Sequence, residues 1–428
     1  MTTAGIAWVV AGLIVLKWAA QEALDWLNRR HVTKHKDAVP KAFEGVIDET
    51  TYRKSTEYTL AKSRFEQIES GWSVLILLIL LFSGVLPWAF STFRGHFGGS
   101  AWAGAAFLFL VGIALSITGL PLEWYHQFRL EERFGFNTTT QKTWWLDRLK
   151  GLLLGLVLGY PLLVLVLKLV EWTGAHWWLW AWGAMMAFQL IMAVLAPVLI
   201  LPLFNKFTPL PEGSLRERLL KLAERTRFKA GSIQVMDGSK RSRHSNAFFT
   251  GFGRFRKIVL FDTLINQLAE VELEAVLAHE IGHFKKKHIP KMLAAAAVGS
   301  LIGFYVLSVL ARQQWFYEAF GFRTGGPWSP DRYIAIALLL FGLLAGTVTF
   351  WLSPITHWWS RRYEYQADRF ARDVMSEAAP LVGALRKLNE KNLSNLTPHP
   401  IYSGFYYSHP TLLEREEALL ADGPIAGA

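Results

Sequence analysis

At 428 residues the chain could hold two or three soluble domains, yet only 18% of it is charged and 52% is apolar, with 19 Trp and 29 Phe. A soluble domain carries about a quarter charged residues, so lipid is expected as part of the solvent. The net charge of +11 is spread between apolar runs rather than gathered in one stripe, which argues against nucleic acid, and the lack of Cys excludes disulfides, thiolate zinc sites and a cysteine nucleophile.

Seven apolar segments are predicted to cross a bilayer, a task that takes about 20 residues each. They are Met1–Leu16, Trp72–Phe93, Ala101–Leu122, Gly151–Val170, Trp177–Phe204, Met292–Ala311 and Tyr333–Trp351. The first is short and ends at Lys17. It lacks a preceding basic stretch and a small-residue cleavage site, so it reads as an anchor rather than a removable signal. Pro87, Pro161 and Pro197 lie inside spans and predict kinks. Trp pairs at 144–145, 177–178 and 358–359 read as interface belts.

The connection after the first segment holds about ten Lys and Arg and that from Glu123 to Lys150 about five, whereas the alternate connections are poor in them. This asymmetry predicts an N-terminus outside and the long connection Asn205–Lys291 on the cytoplasmic side.

That connection opens with an amphipathic helix, Ser214–Arg227. Short strands are expected at Ile233–Met236, Asn246–Thr250 and Lys257–Phe261, the last two joined by a turn at Gly251-Phe252-Gly253. A helix from about Val271 to His288 closes it. After the seventh span, helices are predicted through Tyr363–Met375 and near Leu412–Leu420.

The strongest chemical signal is His279-Glu280-Ile281-Gly282-His283. On a helix, residues four apart differ by only about 40° around the axis, so both imidazoles reach toward one metal ion. Glu280 is placed to take a proton from water, and zinc is the natural occupant of an open imidazole and carboxylate site. The third protein ligand is expected at Glu364, with Asp368 one helical turn on and positioned to accept the far N–H of a ligating His. Two spans separate His283 from Glu364, so the chain returns to the side it left. The bland alternative for Glu364 is a surface pair with Arg361 or Arg362. The nine other histidines, His244 and His288 among them, have no partner at ligand spacing and read as surface or interface residues.

Over nearly its whole length the chain resembles the integral-membrane zinc CAAX prenyl endopeptidases, the CAAX prenyl protease 1 family. The matching stretches are Glu131-Glu132-Arg133-Phe134-Gly135-Phe136-Asn137, Leu203-Phe204-Asn205-Lys206-Phe207-Thr208-Pro209-Leu210 and Ser245-Asn246-Ala247-Phe248-Phe249-Thr250-Gly251. The His279–His283 motif, Glu364–Asp368 and Ser408-His409-Pro410 join them. The resemblance implies a mainly α fold: seven membrane helices in a barrel around a water-filled chamber, closed on the cytosolic side by a zinc-peptidase domain with a small sheet. It implies Glu280 as general base, His409 and Arg415 facing the tetrahedral intermediate, and Asn246 and Ala247 on an edge strand that binds the substrate backbone.

The expected division is 1–204 and 292–352 in the membrane, with the peptidase unit split into 205–291 and 353–428. One Zn2+ per chain, a peptide substrate near whose isoprenylated Cys-a-a-X terminus cleavage occurs, and membrane lipid are the expected partners; no nucleotide-binding glycine loop is found, so no nucleotide is expected. Two alternatives stay open: a quality-control protease using the same residues, and a transporter or channel whose zinc is structural, with His409 as a fourth ligand.

Overall fold

The long apolar helices extend well past their apolar segments. In the computed structural model, which describes residues 2–228, 232–250, 257–322 and 333–421, the first segment belongs to α1 (Thr3–His35) and the second to α2 (Glu49–Phe82). Hydropathy marks where lipid lies; the helix continues as long as its backbone hydrogen bonds are made, so both run on into charged sequence. The second predicted span does not run straight through. It breaks at Gly84, whose φ of 82° suits glycine, before α3 (Val85–Phe97).

α4 (Ala101–Tyr125), α5 (Gln141–Leu154), α6 (Tyr160–Thr173) and α7 (Trp177–Leu195) carry the next three segments. Wider, π-type turns interrupt the helical run at Gly155–Gly159, just before Pro161, and at Ala196–Ile200, around Pro197. This is the predicted kinking, since proline removes a backbone donor and crowds the preceding turn. Among the described residues, six helical stretches are long and apolar enough to cross a membrane, one of which, Gln141–Phe204, contains both the fourth and fifth predicted segments on either side of Gly174. The last two spans lie in α10 (His288–Leu310) and α11 (Ile334–Thr349).

Neighbouring helices close a ring: α1 packs on α2, α2 on α3, α3 on α4, α4 on α6, α6 on α7, α7 on α10, α10 on α11, and α11 returns to α1. Large apolar side chains such as Trp180, Val298 and Val348 are exposed, as a lipid-solvated protein allows. Trp144 and Trp177, read as interface residues, are instead 5% exposed and packed inside.

The aqueous layer is built on a four-stranded sheet. β1 (Phe207–Pro209) and β2 (Ser232–Met236) are antiparallel, β2 and β4 (Lys257–Phe261) parallel, and β3 (Ala247–Thr250) antiparallel to β4, in the order β1-β2-β4-β3. Ile258, Val259 and Leu260 of the central β4 are all buried, as expected for a strand covered on both faces. The predicted turn at 251–253 lies outside the described residues. Helices α8 (Ser214–Arg225), α9 (Glu270–Lys285), α12 (Ser353–Met375), α13 (Ala379–Lys391), α14 (Pro400–Tyr406) and α15 (Leu412–Leu420) complete it. Its core includes Leu219, Ile258, Leu273, Ile281, Leu381 and Leu419, and it recruits Phe43 and Ile47 from the connection between α1 and α2 and Tyr52 from the first turn of α2. The aqueous core therefore reaches back into the first 204 residues.

The predicted end of α9 needs correction. The helix expected to run to His288 stops at Lys285, Lys287 adopts a left-handed φ of 56°, and His288 begins α10.

Candidate metal centre

Helix α9 starts where Glu272 reaches back to accept the Ala269 N–H at 2.7 Å, satisfying one of the donors that every helix start leaves open. Its buried face then lies directly against α12. A Cβ at Gly282 would sit 3.0 Å from Ala367 Cα and 3.1 Å from Ala367 O, so glycine sets how closely the two helices approach. That approach brings the two ends of the chemistry together.

His279 Nε2 and His283 Nε2 lie 3.1 Å apart, 3.4 and 3.3 Å respectively from the Glu364 carboxylate. A tetrahedral zinc with bonds of ~2.0–2.1 Å holds its ligands about 3.3–3.4 Å apart, so the three donors match such an ion in type and spacing. Glu364 is 4% exposed, and its Oε2 is buried without a hydrogen-bond donor among the described residues. A buried carboxylate oxygen left in that condition costs several kcal/mol unless a cation meets it. Electrostatics point the same way. Burial opposes a charge on His279, but the hydrogen bond to Asp368 and the Glu364 carboxylate outweigh it and lift the imidazole pKa to about 9. The pocket attracts positive charge strongly.

Asp368 is fully buried and accepts from His279 Nδ1 at 2.7 Å. Arg415 grips the same carboxylate with both arms, Nε to Oδ2 at 2.8 Å and Nη2 to Oδ1 at 2.5 Å. Its Nη1 lies 3.8 Å from Glu364. Burial works against the Arg415 charge, but Asp368 outweighs it and raises the pKa further. The guanidinium is thus a cation fixed by Asp368, with its remaining arm beside Glu364.

His409 stands on the open side, Nε2 3.4 Å from Glu364 and Nδ1 3.0 Å from the Ser408 hydroxyl. Enclosure by the surrounding wall lowers its pKa against the pull of Glu364, which leaves the ring neutral at pH 7. Glu280 is half-buried and lines a cavity of about 140 Å³ together with His279, Glu364, His409, Asn246 and Ala247. β3, at the edge of the sheet, pairs only with β4 among the described residues. Asn246 is exposed just before it; its side chain accepts from Ala247 N at 2.8 Å. All nine expected site residues therefore meet in one place.

His409 and Arg415 also border a second cavity of about 550 Å³, walled by Tyr58, Lys62 and Glu66 of α2 and by Tyr402 of α14.

Two histidines read as surface or interface residues are structural parts of this region. His244 stacks on Phe136 at 4.0 Å and approaches Glu131 Oε2 at 3.3 Å, while Tyr58 donates to Glu131 Oε1 at 2.6 Å. This ties the 131–137 stretch to the residues leading into β3. His288 is 1% exposed and contacts His283. The partners of His244 lie more than a hundred residues away, and His288 meets His283, five residues back, only because the helix breaks between them, so spacing revealed neither.

Residues 28–206 match the family described as CAAX prenyl protease N-terminal, five membrane helices, and residues 209–422 match Peptidase family M48. A rice protein named CAAX prenyl protease 1 homolog is 37% identical over 91% of this chain and 92% of its own length. CAAX prenyl protease 1 of Saccharomyces cerevisiae is 34% identical over 96% of this chain and 94% of its own. The crystal structure of S. mikatae Ste24p superposes with a TM-score of 0.89 at 33% identity, covering 96% of this chain and 98% of that one. M48 peptidases depend on zinc in general, and the donor set built by His279, His283 and Glu364 fits that ion. With a continuous ring of apolar helices above this donor set, the chain is a multi-pass membrane metallopeptidase and belongs to peptidase family M48, among the CAAX prenyl protease 1 proteins.

Proposed function

We propose that this chain is a zinc endopeptidase that cleaves near the C-terminus of isoprenylated Cys-a-a-X peptides, with one Zn2+ held by His279, His283 and Glu364. The observation that carries the reading is the convergence of two Nε2 atoms and an unsatisfied carboxylate at zinc spacing. The relatives' name, CAAX prenyl protease 1, supports the substrate class.

Zinc, when bound there, supplies Lewis-acid polarisation of the scissile carbonyl and a water acidified to near neutrality. The chain's own residues do the rest. Glu280, alone among the carboxylates of the small cavity in not being committed to the donor set, takes the proton from water and passes it to the leaving amine. Asp368 fixes the His279 tautomer so that Nε2 faces the ion, and Arg415 neutralises Asp368. His409, neutral and open to the cavity, donates to the developing oxyanion, a role whose loss typically costs about 100- to 1,000-fold. The backbone around Asn246 and Ala247 extends the sheet by one substrate strand, which holds the scissile bond without reading its side chains. The larger cavity, which shares His409 and Arg415 with the small one as walls, receives the prenyl-bearing end.

The alternation of basic connections supports an N-terminus outside and the metal centre on the cytoplasmic side. The test is cleavage of one Cys-a-a-X peptide with and without its farnesyl group. A marked preference for the farnesylated form is expected; equal rates would replace the prenyl reading with broad membrane-protein proteolysis.

A further inference from the structure

The two ligating imidazoles are held from behind in different ways. His279 leans on a carboxylate. His283 leans on another imidazole: its Nδ1 lies 3.0 Å from His288 Nδ1, and His288 Nε2 lies 3.0 Å from Gln366 Oε1. A carbonyl oxygen can only accept, which fixes the whole chain of protons. Gln366 Oε1 accepts from His288 Nε2–H, so His288 Nδ1 carries a lone pair. That lone pair accepts from His283 Nδ1–H, so the remaining lone pair of His283 is on Nε2, the atom that faces His279 and Glu364.

We infer that His288, backed by Gln366, is the positioning residue for His283: it holds that ligand in its metal-binding tautomer and sets its ring angle. The inference rests on the proposed zinc site.

Three further observations carry it. His288 is 1% exposed, so a polar ring there needs its partners. Its plane is pinned on Tyr363, with ring centroids 4.1 Å apart and planes within 8°. The backbone is bent to deliver it. Five residues on from His283, a continuous helix would carry His288 about 140° around the axis, away from the metal face. Lys287 in the left-handed region ends α9 and swings His288 back against His283. A lysine held there costs on the order of 1 kcal/mol, which persists because the contact behind it over-determines the turn. His288 is not a fourth ligand, for it touches the Nδ1 edge of His283, opposite the donor cluster.

The consequence is mechanical. His288 is the first residue of α10, and Gln366 sits on the helix that carries Glu364, so the orientation of one ligand depends on where a membrane helix begins.

The test is zinc affinity of the full-length protein, by competition with a chelator of known affinity, alongside thermal midpoints. The wild type is expected to bind one zinc. His288→Phe keeps the ring stack and removes the relay, and is expected to weaken zinc about 10- to 100-fold. Gln366→Leu removes only the acceptor that selects the tautomer and is expected to weaken it several-fold, whereas Gln366→Glu, which keeps an acceptor oxygen, is expected to bind as the wild type does. A purely structural role would lower the thermal midpoint and leave the affinity of the folded protein unchanged in all three; that pattern overturns the inference while leaving the zinc site standing. A wild type that binds no zinc overturns both.

Discussion

The membrane ring and the metal layer obey different rules of packing. In the ring, many large apolar residues are exposed, and glycines such as Gly112, Gly342 and Gly346 have open space where a Cβ would go. In the layer, Gly282 meets backbone at 3.0 Å, Asp368 is fully buried with three protein donors, and a ligand is backed by a relay of two side chains. Lipid is as apolar as leucine, so the ring tolerates change wherever hydropathy is kept. The layer tolerates almost none, because each of its polar atoms has been desolvated and must keep its partner.

That contrast can be broken or sharpened in graded steps. The largest expected effect is on activity: Glu280→Gln should lower peptide turnover about 10²- to 10⁴-fold with zinc content and thermal midpoint retained. Wild-type turnover in that variant would end the assignment of Glu280 as base. Next comes Arg415→Met, which leaves Asp368 buried beside Glu364 without its guanidinium; a stability loss of about 3–5 kcal/mol, read as a lowered unfolding midpoint, is expected. Gly282→Ala should cost about 1–3 kcal/mol and loosen zinc, as α9 and α12 are pushed apart at Ala367. The smallest effect belongs to the ring: Gly342→Ala in α11 should be neutral or stabilising by up to about 1 kcal/mol, measured the same way. Equal costs for the two glycines would erase the contrast.

The same difference decides what the sequence could reveal. The apolar runs and the His279–Glu280–His283 spacing are local patterns, read directly from hydropathy and from the 3.6-residue turn. Glu364 and Asp368 were reachable because Asp368 lies one turn beyond Glu364 and the intervening span count was even. His288 was hidden because the helix pattern continues through Lys285-Lys286-Lys287, although Pro290 stands in the first turn of the next helix and the chain turns left-handed at Lys287. His244 was hidden because Phe136 and Glu131 lie more than a hundred residues away. β1 is only three residues long and ends in proline, too short to carry a period. For Arg415 the position was legible but the partner was not: nothing local says that its fork closes on Asp368.

The most direct measurement is the zinc-to-protein ratio of the purified chain beside that of its Glu364→Ala variant. Two imidazoles and a carboxylate gripping one ion predict a ratio near one that falls to near zero at matched protein folding. Full zinc retention in the variant would mean that the carboxylate brought back by the membrane hairpin does not hold the metal.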